Sequence, residues 1–236
     1  MSKFSRLAFL AASLFTVDAN AADLFAADDD VLVINSSSTD WSGFYAGIFG
    51  GVAPGRYEYN GTAGFGFPYI GDDVGGLVGM QAGANYQMGN FVVGGVVDLA
   101  LTSLEGSTSS GPAANDITIS SSLKDLGSVR AKVGFAMSDV LAYVHGGLAF
   151  GQTRTSAVTT ATGVPFDGFH GNDRIGFTIG AGVEVKVLEN VSLFAEYAYT
   201  DLGTATVFTN PPGFAAFDLN ETLRLQTVKA GANFHF

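Results

Sequence analysis

Few side chains in this sequence could do chemistry, and most lie on the polar parity of segments that alternate every second residue. They are Asp98, Arg130, Lys132, Glu184, Lys186, Glu196 and Lys229, joined by Gln81, Asn85, Tyr143, His145 and Asn233. Gathered in one interior, they could form a path for protons or ions. They could also form a structural polar core, because buried charges left unpaired are costly enough that they must pair. The histidines at 145, 170 and 235 raise metal binding and acid–base catalysis. Zinc takes three or four protein ligands, and nothing near these histidines has ligand spacing, so satisfied structural histidines are the expectation. No nucleophile has a base in reach. The absence of cysteine removes thiolate chemistry and Cys-ligated metal. No catalytic residue, metal site or cofactor is expected.

The elements that must position these residues have a period of two. Val78, Met80, Ala82, Ala84, Tyr86 and Met88 alternate with Gln81, Gly83, Asn85 and Gln87. Between 174 and 187, Ile175, Phe177, Ile179, Ala181, Val183, Val185 and Val187 alternate with Arg174, Gly176, Thr178, Gly180, Gly182, Glu184 and Lys186. A helix cannot separate such sets, whereas a strand puts each on its own face. The pattern predicts eight strands near 43–52, 76–87, 91–102, 121–135, 140–153, 174–187, 191–202 and 222–236. Short turns fall at 88–90, 136–139 and 188–190, and long polar loops at 53–75, 103–120, 154–173 and 203–221. An even number of strands, with short turns at one end and long loops at the other, is the pattern of an all-β, eight-stranded antiparallel transmembrane barrel. A soluble sandwich has no reason to keep its long loops on one end.

Composition agrees. Charged residues are 14% of the chain against 47% apolar, well below the roughly 25% charged of soluble domains. A net charge of −11 has the wrong sign for a nucleic-acid binder. Lys3 and Arg6, the uncharged run Leu7 to Val17, and Ala19-Asn20-Ala21 together read as a signal peptide over 1–21, cleaved near Ala21. An acidic periplasmic linker is expected at 22–40 and the barrel at 41–236. Excess negative charge falls in the tail and the four long loops, whereas strands and short turns balance to zero.

Charge placement sets the faces. A Lys or Arg on the lipid face at mid-depth costs roughly 2–4 kcal/mol, so mid-strand charges should point inward. Asp98, Arg130, Lys132, Glu196 and Lys229 all oppose apolar neighbours. Asp125 breaks the rule, but it sits at the outer rim, where a carboxylate costs little. Heights counted from the periplasmic ends suggest Glu196 with Arg130 and Asp98 with Lys229. The interior of an eight-stranded barrel is only wide enough to be filled by side chains, which favours the structural polar core over an ion path. Two aromatic girdles are expected on the lipid face: Tyr86, Phe91, Phe135, Phe234 and Phe236 below, and Phe150, Phe177, Tyr197 and Tyr199 above. The paired glycines (75–76, 94–95, 146–147) should ease curvature of a tightly closed sheet.

Four stretches carry a family resemblance. Trp41–Gly51 (WSGFYAGIFGG) resembles the opening of the small outer-membrane proteins of Alphaproteobacteria, the OmpA-like "outer membrane immunogenic protein" or porin-family barrels. Ala195–Gly203 (AEYAYTDLG) is similar to that family's seventh strand, and the stretch from Tyr143 (YVHGGLAFG) to its fifth. The terminus, with Gly231, Phe234 and Phe236, is similar to the signal read by the barrel assembly machinery. The resemblance implies a structural surface protein contributing to envelope integrity. Outer-membrane lipid, lipopolysaccharide and the assembly machinery would be its partners, and its oligomeric state stays open. It also implies an alternative, a haem-binding or adhesive surface protein using His170, Tyr57, Tyr59, Phe169 and Phe214; a narrow porin-like channel is a third reading.

Overall fold

Each alternating segment has one apolar and one polar face and unpaired backbone groups on both edges. Closure into a ring satisfies the edges and sorts the faces at once. The computed structural model describes residues 39–61, 69–109, 117–159, 162–166, 169, 171–209 and 218–236. The expected signal peptide and the linker up to residue 38 lie outside the described residues, as do His170 and Phe214.

The strands are β1 (Gly43–Gly61), β2 (Tyr69–Met88), β3 (Phe91–Ser109), β4 (Ile117–Met137), β5 (Val140–Thr159), β6 (Pro165–Phe166), β7 (Asn172–Leu188), β8 (Val191–Thr209) and β9 (Asp218–His235). The eight long strands pair antiparallel in chain order, and β1 pairs with β9 to close the ring. The two-residue β6 adds to the outer part of β5.

The long strands hold 17 to 21 residues, about twice what a membrane crossing needs. Much of 53–75, 103–120, 154–173 and 203–221, expected as loop, is therefore strand. The alternation continues through these segments, but its meaning reverses. In the half nearer the short turns, Ile48, Met80, Leu99, Val133, Leu148 and Ile179 are exposed outward, while Asp98, Arg130, Lys132, Glu184, Glu196 and Lys229 are buried inward. The outward apolar band ends at Arg56, Ser103, Asp125, Gln152, Asp173, Asp201 and Gln226. That is roughly eleven residues above the turns, or ~25 Å at ~2.4 Å of vertical rise per tilted residue. Beyond that ring the outward face is mostly Ser, Thr, Asn and charge, and the inside is an apolar core of Tyr57, Tyr59, Leu104, Ile119, Leu123, Leu219, Leu223 and Leu225 with their neighbours. Below the ring the solvent is hydrocarbon; above it, water.

Two bulges accompany the change. On β8, Gly203 has φ of 69°, its N–H donates to Asp201 Oδ1 at 2.8 Å, and the ladder to β9 slips between Asp201 and Thr204. The left-handed conformation is open to glycine without steric cost. On β4, the register shifts between Leu123 and Asp125, so Lys124 and Asp125 both face outward. The inward glycine of a pair has no room for a side chain: a Cβ on Gly147 would lie 2.0 Å from the Val129 carbonyl oxygen, whereas one on Gly146 would sit in ordinary contact.

Candidate functional site

The inward residues meet in three layers. The middle layer holds Asp98 (β3), Arg130 (β4), His145 (β5), Glu196 (β8) and Lys229 (β9). Arg130 Nη1 lies 2.6 Å from Glu196 Oε1, and its Nη2 lies 2.5 Å from Asp98 Oδ2. Lys229 Nζ is 3.1 Å from Glu196 Oε1 and 3.5 Å from Asp98 Oδ2. The two expected pairs are thus one four-membered network, because Asp98 and Arg130 are diagonal neighbours on the adjacent strands β3 and β4, and Glu196 lies directly opposite Lys229 on β8 and β9. Ser128 Oγ donates to Asp98 at 2.8 Å and the Tyr143 hydroxyl to Glu196 at 3.2 Å. His145 is buried with Nε2 3.4 Å from Glu196 Oε1 and 3.1 Å from Arg130 Nη1. A cavity of about 30 Å³, room for a water or two, adjoins Arg130, Glu196 and Lys229.

The layer nearer the short turns centres on Glu184 (β7). It accepts from Ser192 Oγ at 2.5 Å and Asn233 Nδ2 at 2.7 Å, and Lys132 Nζ is 3.5 Å away. The same ammonium sits 4.9 Å and 4.8 Å from the ring centroids of Tyr45 and Tyr143, and Gln81 Nε2 donates to Asn233 at 2.8 Å. Ser192, His235 and Glu184 are the residue types of a hydrolytic triad, but the geometry is not a relay. Ser192 Oγ, at 2.8 Å, and Glu184 Oε1, at 3.4 Å, both approach His235 Nε2, whereas a relay needs the acid on the other ring nitrogen. Below this layer Trp41 is fully buried; its N–H donates to Gln87 Oε1 at 2.8 Å, and its indole N–H points to the Ser138 carbonyl at 3.4 Å. Lys186 lies at this mouth, its ammonium donating to the Asp40 carbonyl and 5.2 Å from the Trp41 ring.

A third layer lies in the extension beyond the membrane band, where the sequence predicts loop. Arg174 Nη2 lies 2.5 Å from Glu221 Oε1, and both side chains are buried. Glu221 also accepts from Ser121 and, at 3.3 Å, from Thr155, while the Tyr59 hydroxyl donates to Ser121 at 2.8 Å. The composition of 203–221 predicts a water-exposed loop, but Glu221 is buried in the interior. Tyr57 and Tyr59, expected as loop aromatics, are buried on β1 for the same reason. Phe169 packs on Phe208 with centroids 5.0 Å apart.

The terminal residues Gly231, Phe234 and Phe236 lie on or just beyond β9. Phe234 and Phe236 face outward with rings 5.2 Å apart, and the Phe236 N–H donates to the Phe44 carbonyl at 2.9 Å. Gly231 leaves space that Phe49 and Phe194 fill, since a Cβ there would come within 2.8 Å of each. Among the described residues no group of His, Asp and Glu could hold a metal ion.

The chain is similar to the 31 kDa outer-membrane immunogenic protein of Brucella melitensis, at 28% identity over 95% of this chain and 96% of that one. It is also similar to the 22 kDa outer membrane protein of Rhizobium leguminosarum bv. viciae, at 32% identity over 68% of this chain and 64% of the other. Among solved structures, Neisserial surface protein A matches with a TM-score of 0.43 and 19% identity, covering 83% of this chain and 98% of that one. The model of the family described as "Outer membrane protein beta-barrel domain" matches residues 7–236. With that match over nearly the whole sequence and its alternating strands closed into a ring, the chain belongs to the outer membrane protein β-barrel domain family and resides in the outer membrane of a Gram-negative cell.

Proposed function

We propose that the chain is a structural, non-enzymatic barrel contributing to the integrity of the envelope, with its extension presented at the cell surface and its lumen closed to steady ion flow. One observation carries the reading. The interior charges are matched within the barrel, Arg130 and Lys229 against Asp98 and Glu196, Lys132 against Glu184, and Arg174 against Glu221. A lumen built to conduct would keep a continuous wet path between them. Here the described cavity beside the middle layer is about 30 Å³, apolar side chains stand above it, and Trp41 lies across the periplasmic mouth. The test has two arms. Purified protein in planar bilayers should give no large steady conductance, and deletion in cells should raise sensitivity to detergent. Large steady conductance, or a deletion that changes only the uptake of a ligand, would overturn the proposal.

A further inference from the structure

The outward wall of the membrane band is not uniform. Between two of its rows runs a groove of about 880 Å³, within the size range of ligand sites. The upper row is Leu101, Asp125, Gln152 and Asp173, which face one another in turn in the ladders of β3, β4, β5 and β7. The lower row is Leu99, Gly127, Phe150 and Ile175 on the same strands. Gly127 makes a notch in that row. The Phe150 ring lies over it, so that a Cβ there would come within 2.2 Å of Phe150 Cε2 and 2.9 Å of Leu99 Cδ2.

Rows across tilted strands run obliquely to the membrane, so the groove has a shallow end and a deep one. At β4, β5 and β7 its upper row belongs to the polar ring that ends the apolar band. Continued the other way, that row passes Val78 on β2 and Gly50 on β1, and Gly50 is six residues below Arg56, the ring's member on β1. The deep end therefore lies ~14 Å farther into the hydrocarbon, where Ile48, Val78 and Met80 line it. The shallow end carries Asp125 and Asp173, with Gln152 donating to Asp173 at 3.0 Å. Among the described residues no Lys or Arg pairs with either carboxylate. Lys124 lies 3.1 Å from Glu105, Arg154 stands one outward step beyond Gln152 on the water side, and Arg174 turns its guanidinium inward to Glu221.

We propose that the groove binds an amphiphile with an ammonium head, drawn from the membrane leaflet on the side of the extension. Its acyl chain would lie past the Gly127 notch toward Ile48, with its head between Asp125 and Asp173. The shape calls for such a molecule, because a trough that starts at the water boundary and descends into hydrocarbon fits one polar end and one apolar end. The rim sets the sign of the head. Two carboxylates without a basic partner repel a phosphate and attract an ammonium, and the attraction is stronger at this boundary than in bulk water because the dielectric is lower. The bilayer offers acyl chains all round the barrel, so it is the head that selects the occupant. The inference goes beyond the structural role proposed above and does not depend on whether the lumen conducts.

The experiment uses the full chain refolded in micelles of dodecyl maltoside, an uncharged detergent, with dodecylammonium and dodecyl phosphate as probes and backbone amide NMR shifts as the readout. Dodecylammonium should shift 99–101, 125–127 and 150–152 saturably and bind about tenfold tighter than the phosphate, or more. Asp125→Asn with Asp173→Asn, both exposed and nearly isosteric, should remove that advantage. Asp201→Asn, a ring carboxylate away from the groove, should leave it intact, and Gly127→Leu should fill the notch and weaken binding. Equal affinity for the two probes, tighter binding of the phosphate with or without magnesium ions, or shifts spread evenly round the barrel would each overturn the inference. So would an advantage that survives the double Asp→Asn change, or an equal loss in Asp201→Asn.

Discussion

Glu196 touches Arg130, Lys229, Tyr143 and His145 at once, so it is the residue whose loss leaves most interior charge unpartnered. Glu196→Ala is expected to cost about 3–5 kcal/mol, the range for stranding a buried charge, read as a lower urea midpoint for unfolding from lipid vesicles. Glu196→Ala with Lys229→Ala removes one charge of each sign and leaves Arg130 its contact with Asp98. The double variant should cost less than the two single changes together; simple additivity would show that Lys229 is not coupled to Glu196. That these residues face inward is legible in sequence, because an outward charge at mid-depth carries a penalty its neighbours cannot offset. Their full contacts are not. Parity gives a face and an approximate height but not the register across a long connection, and it is the β3–β4 register, with Asp98 opposite Ser128, that sets Asp98 beside Arg130.

At the scale of the strand, the alternation was legible and its reversal was not. Counting apolar residues on one parity finds a lipid-facing strand, but above the ring at Asp125, Gln152 and Asp173 the apolar residues move to the inner parity. Taken with their Ser, Thr and Asn content, those stretches read as loops, so parity alone does not bring Glu221 to Arg174. The two halves should therefore respond differently to the same truncation. Leu223→Ala, inside the extension, loses transfer energy and leaves a cavity, at about 2–5 kcal/mol. Leu99→Ala, on the lipid face, loses transfer energy alone, because acyl chains fill the space, and should cost only ~1–2 kcal/mol. Equal losses in vesicle unfolding would mean that the extension does not hold its own core. The bulge that re-aims β8 gives a second test: Gly203→Ala keeps every contact but forces a left-handed residue, at ~1–2 kcal/mol, and an unchanged midpoint would show that the loop relaxes without strain.

At the scale of the molecule, β9 pairs with β1 to close the ring, and only a closed ring brings Arg130 on β4 across the lumen to Glu196 on β8. The last rung beyond β9 is the Phe236 N–H on the Phe44 carbonyl, and Phe236 is 78% exposed next to Phe234 at the membrane edge. Two consequences follow if this end is also what the assembly machinery reads. Deleting Phe236 removes one backbone bond and one interfacial aromatic, a loss of only about 1–3 kcal/mol on stability grounds. Protein refolded into vesicles in vitro should therefore still close, and its unheated form should still migrate differently from the heated form on gels. In cells the same deletion should lower the amount of heat-modifiable protein in the outer membrane well beyond what that modest loss explains, with the remainder degraded or held in the periplasm. Wild-type levels of folded, truncated protein in the outer membrane would show that closure against Phe44, and not recognition, is the role of this residue. Failure in both settings would assign it to the stability of the ring.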